Sequence, residues 1–212
     1  MSKSCLLFDN DGTLVDSEYL CNLGIAHAFL ELDVTLDADD LVKHYRGMKL
    51  SEIMASISRQ YSVELPDDFI SSYRKRVASL FDKHLTPIEG VVYALDHLHH
   101  RKAVVSNGPR QKIEHALNVC QLRGYFNDNI FSAYDIGYYK PNPQIYLDVA
   151  AMMKVSPNQC VVIEDSKVGA EAGSRAGITT LFYNRYNETL SLPHVTSFND
   201  MKQLPKMIAN VS

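Results

Sequence analysis

Four short apolar runs punctuate the chain: Cys5-Leu-Leu-Phe8, Ala103-Val-Val leading into Ser106, Cys160-Val-Val-Ile163 and Thr179-Thr-Leu-Phe-Tyr183. Each ends in a polar or glycine-bearing turn, as strands buried on both faces do. Between them, Ile113/Ala116/Leu117/Cys120, Ile145/Val149/Met152 and Val168/Ala172/Ala176 keep the 3.6-residue period of amphipathic helices. Buried strands alternating with helices predict an α/β fold, a Rossmann-like, mostly parallel sheet covered on both faces. Such sheets gather their functional residues at the carboxyl ends of the strands.

The stretch from Ser17 to about Leu85 breaks this rhythm. Leu20/Leu23/Phe29/Leu30, Leu50/Ile53/Met54/Ile57 and Phe69/Ile70/Tyr73/Val77/Leu80 are all helical in period, and no strand pattern interrupts them. Pro66-Asp67-Asp68 predicts a helix start, with proline in the first turn and carboxylates near the positive end of the dipole. The expected organisation is an α/β core over residues 1–15 and 90–212, interrupted by a helical cap over residues 16–89.

Composition narrows the partners. The 212 residues carry a net charge of −4, and the basic residues form no stripe of the kind that attracts nucleic-acid phosphates. The first apolar run is stopped by Asp9 after four residues, too few for a signal peptide or a membrane span. Cys5, Cys21, Cys120 and Cys160 are far apart, which suggests neither a zinc knuckle nor a disulfide framework. A cytoplasmic protein acting on a small molecule, monomeric or weakly oligomeric, without nucleic-acid or membrane partners, is expected.

The chemistry starts at Asp9-Asn-Asp-Gly12. Two carboxylates this close repel unless they share a cation or a proton. Hard oxygen ligands at a strand tip suit Mg²⁺, which takes one or two carboxylates and keeps positions for water and phosphate. A plain turn built from Asp and Gly is the structural alternative. A calcium loop fits less well, because Gly12 falls at the fourth position and Leu20 stands where a bidentate glutamate belongs. Later strand ends add Ser106-Asn107-Gly108, Lys140 beside Pro141 and Pro143, and Glu164-Asp165. In a parallel sheet all of these converge on one edge, placing metal-binding acids beside phosphate-binding donors.

Asp9-Asn-Asp-Gly-Thr-Leu-Val-Asp-Ser17, Ser106-Asn-Gly108, Lys140-Pro-x-Pro143 and Glu164-Asp-Ser-x-x-Gly169 resemble the four ordered motifs of the haloacid dehalogenase superfamily. The helical insert resembles the cap of its β-phosphoglucomutase-like branch. Arg46-Gly-Met-Lys-Leu50, Phe81-Asp82 and the run from Ser132 to Lys140 are similar to bacterial 6-phosphogluconate phosphatases. The resemblance implies a Mg²⁺-dependent phosphatase that works through an aspartyl-phosphate on a sugar phosphate or sugar-acid phosphate, with 6-phosphogluconate a candidate. It implies Asp9 as nucleophile and Asp11 as the acid for the leaving alcohol, then the base for water. Ser106, the Asn107 backbone, Gly108 and Lys140 would hold the phosphoryl oxygens. Asp9, the Asp11 carbonyl and Asp165 would ligate the metal, with Glu164 ligating or acting through water. Arg46, Gly47 and Lys49 of the cap loop would meet the leaving group, two cations suited to an acid. Gln144 departs from the aspartate common after the second proline, a helix-capping detail.

Three rival functions are weighed. A phosphosugar mutase of the same branch is weakened by Cys21 and Leu50, which stand near where the mutase has a cap histidine and a phosphate-binding arginine. A non-catalytic binding module finds no support, since no motif residue is missing; a dehalogenase is disfavoured by Asp11. His97, His99 and His100 are expected on a solvated helix face, and Gly169, Gly173 and Gly177 where a helix packs closely on the sheet. The sequon at Asn187-Glu-Thr189 is read as incidental.

Overall fold

The computed structural model describes residues 3–45 and 48–211. β1 (Cys5–Phe8) leads directly into the Asp9 turn and is fully buried. Four helices follow, α1 (Glu18–Leu30), α2 (Ala38–Tyr45), α3 (Leu50–Tyr61) and α4 (Phe69–His84). Then come α5 (Val91–Asp96), β2 (Arg101–Ser106), α6 (Arg110–Val119), β3 (Ile130–Ser132) and α7 (Ala133–Ile136). The chain continues through α8 (Gln144–Met152), β4 (Cys160–Glu164), α9 (Lys167–Arg175), β5 (Thr179–Tyr183), β6 (Val195–Phe198) and α10 (Leu204–Val211).

The six strands form one sheet in the order β3-β2-β1-β4-β5-β6, and every pairing is parallel. Because β1 pairs with β2 on one side and β4 on the other, the strand order reverses beside it, the switch point at which parallel sheets gather functional residues above their carboxyl ends. Asp9 follows Phe8 directly at that end, with Phe8 opposite Val104 and Ile163. One core layer joins Leu7, Val105 and Val162 of the sheet to Ile145, Tyr146 and Val149 of α8. Phe8 of β1 meets Phe126, from the link between α6 and β3, edge to face at 5.8 Å.

The chain divides into two compact units, residues 1–16 with 86–212 and residues 17–85. Asp16 and residues 86–89, expected in the insert, group with the first unit. Val15 bridges Pro87, the Asp16 N–H donates to the Thr86 carbonyl at 2.9 Å, and the Ile88 N–H donates to the Leu14 carbonyl at 3.0 Å. Within the second unit α1 packs against α4. Phe29 meets Phe69 at 5.1 Å, and Gly24 admits the Val77 side chain where a Cβ would collide with it. The buried stripe of α4 is Phe69, Tyr73, Val77 and Phe81, and Leu80 lies at its margin.

Three local expectations are corrected. Pro66 precedes α4 instead of entering its first turn, while Asp68 at the N-cap does keep a carboxylate near the positive end of the dipole; the Phe69 N–H turns back to the Pro66 carbonyl at 3.0 Å. α5 stops at Asp96, so His97 sits at its end and His99 and His100 lie in the link to β2. β3 and β6 were not foreseen. β3 has three residues, and the edge strand β6, Val-Thr-Ser-Phe, exposes its polar positions.

Candidate active site

The turn after β1 is shaped by Gly12, whose φ of +82° favours glycine. The Leu14 and Val15 N–H groups both donate to the Asn10 carbonyl, at 2.9 and 3.1 Å, and the Gly12 N–H donates to the Val15 carbonyl at 2.9 Å. A Cβ on Gly12 would fall inside the Asp165 carboxylate, so this glycine lets the end of β4 press against the turn. The Thr13 hydroxyl completes the contact, donating to Asp165 Oδ1 at 3.0 Å.

Lys140 lies buried between the carboxylates that follow β1 and end β4. Its buried ammonium lies 2.5 Å from Asp9 Oδ1 and 2.6 Å from Glu164 Oε1, with the Tyr146 ring 5.4 Å below. Burial alone would lower its pKa; the Asp9 and Glu164 carboxylates outweigh burial and hold it well above the usual lysine value. Asp9 feels the opposite balance. Burial pushes its carboxyl up to about 7 despite the pull of Lys140, and Glu164 and Asp11 add repulsion. Lys140 itself is held through its backbone, between the two ends of the Asn107 amide.

Glu164 is wholly committed to protein donors. Oε1 accepts from Lys140 and from the Tyr146 hydroxyl at 3.3 Å, while Oε2 accepts from the Ser166 N–H at 2.9 Å and hydroxyl at 2.8 Å. Gly169 makes room for this carboxylate, since a Cβ there would overlap it; Gly173 does the same for Thr180. Gly177 lies past α9, in open space with φ +67°.

Asp9, Glu164 and Asp165 each offer an oxygen within 4.8 Å of the others, the one such group of metal-ligating side chains among the described residues. Three carboxylates face one ammonium in a buried space, so acid groups outnumber the cation that could neutralise them. Clustered hard oxygen donors, one of them a carboxyl pushed up to about 7 by burial, fit a divalent cation such as Mg²⁺. Asp11 stands outside that group, paired with Lys112 of α6 at 2.7 Å. Ser106 is buried, and its hydroxyl accepts from the Gly108 N–H at 3.0 Å.

The structure thus brings Asp9, Asp11, Ser106, Asn107, Gly108, Lys140, Glu164 and Asp165 to one edge. Arg46 and Gly47 lie outside the described residues. Lys49 is exposed just before α3 in the second unit. The residue at 144 does not cap α8 itself; Asn142 Oδ1 accepts from the Gln144 N–H at 2.9 Å. Sequence reasoning missed Lys112, Thr13, Tyr146, Ser166 and the clamping side chain of Asn107. The Ser166 hydroxyl, which also accepts from the Gly169 N–H at 3.1 Å, was legible as a helix cap. The others depend on contacts between distant segments and leave no local signal.

Residues 6–183 match the family model described as haloacid dehalogenase-like hydrolase. The chain is 37% identical over 205 residues to 6-phosphogluconate phosphatase of Escherichia coli, covering 95% of this chain and 93% of that protein. It is 29% identical over 175 residues to validoxylamine A 7'-phosphate phosphatase of Streptomyces hygroscopicus, covering 81% of each. The solved structure of a haloacid dehalogenase-like protein from Agrobacterium tumefaciens superposes with a TM-score of 0.81 at 27% identity, covering 98% of both chains.

Proposed function

Because the chain belongs to the haloacid dehalogenase-like hydrolases and is a phosphoric monoester hydrolase, we propose that it is a Mg²⁺-dependent phosphatase of small phosphorylated sugars or sugar acids. The observation that carries this reading is Lys140, whose buried ammonium bridges Asp9 and Glu164 beside Asp165. A carboxylate, a fixed cation and further acids at the switch point of a parallel sheet are what phosphoryl transfer to a side chain requires.

An Asp9 oxygen attacks phosphorus. The P–O bond to the alcohol breaks as the P–O bond to Asp9 forms, and Asp11 gives its proton to the departing oxygen. Water then attacks the phosphorus of the aspartyl-phosphate, Asp11 takes the proton, and inorganic phosphate leaves with Asp9 restored. Lys140, the Ser106 hydroxyl and the Asn107 and Gly108 N–H groups hold the phosphoryl oxygens and stabilise the charge that develops on them. Asp9, Asp165 and the Asp11 carbonyl are the ligands proposed for Mg²⁺, which when bound screens the phosphoryl dianion from the attacking carboxylate. Glu164, with both oxygens occupied, serves to anchor Lys140.

The substrate is read more finely as a sugar-acid phosphate such as 6-phosphogluconate. Support comes from the 37% identical relative, together with the paired cations Arg46 and Lys49. The mechanism is tested with p-nitrophenyl phosphate, with and without Mg²⁺, on wild type and Asp9→Asn. Turnover should require the metal and vanish in the variant. Borohydride added during wild-type turnover should convert residue 9 to homoserine, the reduction product of an acyl phosphate. Full activity of Asp9→Asn, or label at another carboxylate, would reject the nucleophile.

A further inference from the structure

Two lysines divide the acids of the site. Lys140 is buried and pairs with Asp9 and Glu164, whereas Lys112, about a quarter exposed, pairs with Asp11 at 2.7 Å. The pairing has a rigid origin. Lys112 stands in the first turn of α6, where its N–H donates to the Pro109 carbonyl at 3.0 Å, and the next residue, Ile113, is fully buried. Asp11 Oδ2 lies 3.7 Å from the point a Gly108 Cβ would occupy, an ordinary contact distance, so this carboxylate borders the turn after β2. The segment from Ser106 to Lys112 thereby supplies phosphoryl-binding groups at one end and a partner for Asp11 at the other.

We propose that Lys112 is a positioning residue for proton transfer, its ammonium fixing the orientation of the Asp11 carboxylate toward the leaving oxygen. The inference rests on the reading of Asp11 as acid and base. A side chain at the rim of a turn would otherwise spread over several rotamers, and proton transfer depends steeply on placement. The ion pair is partly shielded from solvent, where such a pair outweighs a fully exposed one. kcat/KM reports the steps up to formation of the aspartyl-phosphate and not the later attack of water common to every substrate. In kcat/KM the effect of the pair should therefore appear where the departing oxygen needs a proton and be nearly silent where it does not.

The test compares kcat/KM for p-nitrophenyl phosphate and for an alkyl ester, glucose 6-phosphate, in wild type, Lys112→Met, Lys112→Arg, Asp11→Asn and the Lys112→Met, Asp11→Asn double variant, with melting curves for each. Lys112→Met is expected to lose about tenfold on the alkyl ester, chiefly in kcat, and roughly twofold or less on p-nitrophenyl phosphate. Lys112→Arg should recover most of the loss, and in the Asp11→Asn background Lys112→Met should add no dependence on the leaving group. Equal losses on both substrates, or a leaving-group effect that persists without the Asp11 carboxylate, would overturn the proposal while leaving Asp11 as the acid. If Asp11→Asn itself harms both substrates equally, the reading of Asp11 fails and takes this inference with it.

Discussion

Asn107 brackets the backbone of Lys140: its Oδ1 accepts from the Lys140 N–H at 2.9 Å, and its Nδ2 donates to the Lys140 carbonyl at 3.3 Å. One amide thus ties the loop after β2 to the loop that aims the central ammonium. Asn107→Ala should remove both bonds, each worth roughly 0.5–1.5 kcal/mol, and loosen Lys140. Phosphate, measured as a competitive inhibitor, should bind about tenfold more weakly, with a lower melting temperature. Unchanged phosphate inhibition would show that Lys140 holds its place without the clamp.

Gly169→Ala sets a Cβ against the Glu164 carboxylate, both oxygens of which are already bonded. The carboxylate must shift and carry Lys140 with it. A stability loss of about 1–3 kcal/mol in urea is expected, with a fall in turnover far beyond what the lost stability explains. Gly124→Ala, which meets nothing within 4 Å, is the control and should leave both quantities near wild type.

Metal binding and protonation compete at Asp9. Its carboxyl is held at about 7 in the metal-free site, so below that pH the proton must leave before the oxygen can ligate. Mg²⁺ affinity should weaken by about tenfold per pH unit below 7, and level off above it. Calorimetry in buffers of different ionisation enthalpy should show a proton released at pH 6 and none at pH 8.5. The sign for metal-free stability follows from the same shift. The contribution of a carboxyl raised from about 4 is fully present below pH 4 and is lost as the pH climbs through about 7. Asp9→Asn should abolish the proton release and that part of the slope.

The sugar-acid reading places a carboxylate contact on the loop that contains Lys49. Wild type should hydrolyse 6-phosphogluconate in preference to glucose 6-phosphate. Lys49→Met should shrink that preference by about tenfold to a hundredfold, the size of one charge-assisted bond, while sparing p-nitrophenyl phosphate. An unchanged ratio would make this a solvated basic turn.

Much of this protein was written locally. β1 and β4 are continuous apolar runs, because strands buried on both faces need no alternation, and Asp9 and Glu164-Asp165 mark their carboxyl ends. Of the four helices between Ser17 and Leu85, α1, α3 and α4 announce themselves by period and the short α2 does not, and each of the four motifs that hold the chemistry is contiguous in sequence. Tertiary structure decided the rest. The three-residue β3 and the half-polar edge β6 become strands through their neighbours' ladders, not through their own pattern. Glu164 and Asp165 are adjacent acids in the sequence. Packing against Gly169 and Gly12 gives one to Lys140 and Ser166, and leaves the other beside Asp9. Lys112 is one basic residue among 21 until α6 sets it against Asp11, 101 positions away. Spacing in a sequence records which residues share an element; partnership between elements is fixed by the packing of distant segments.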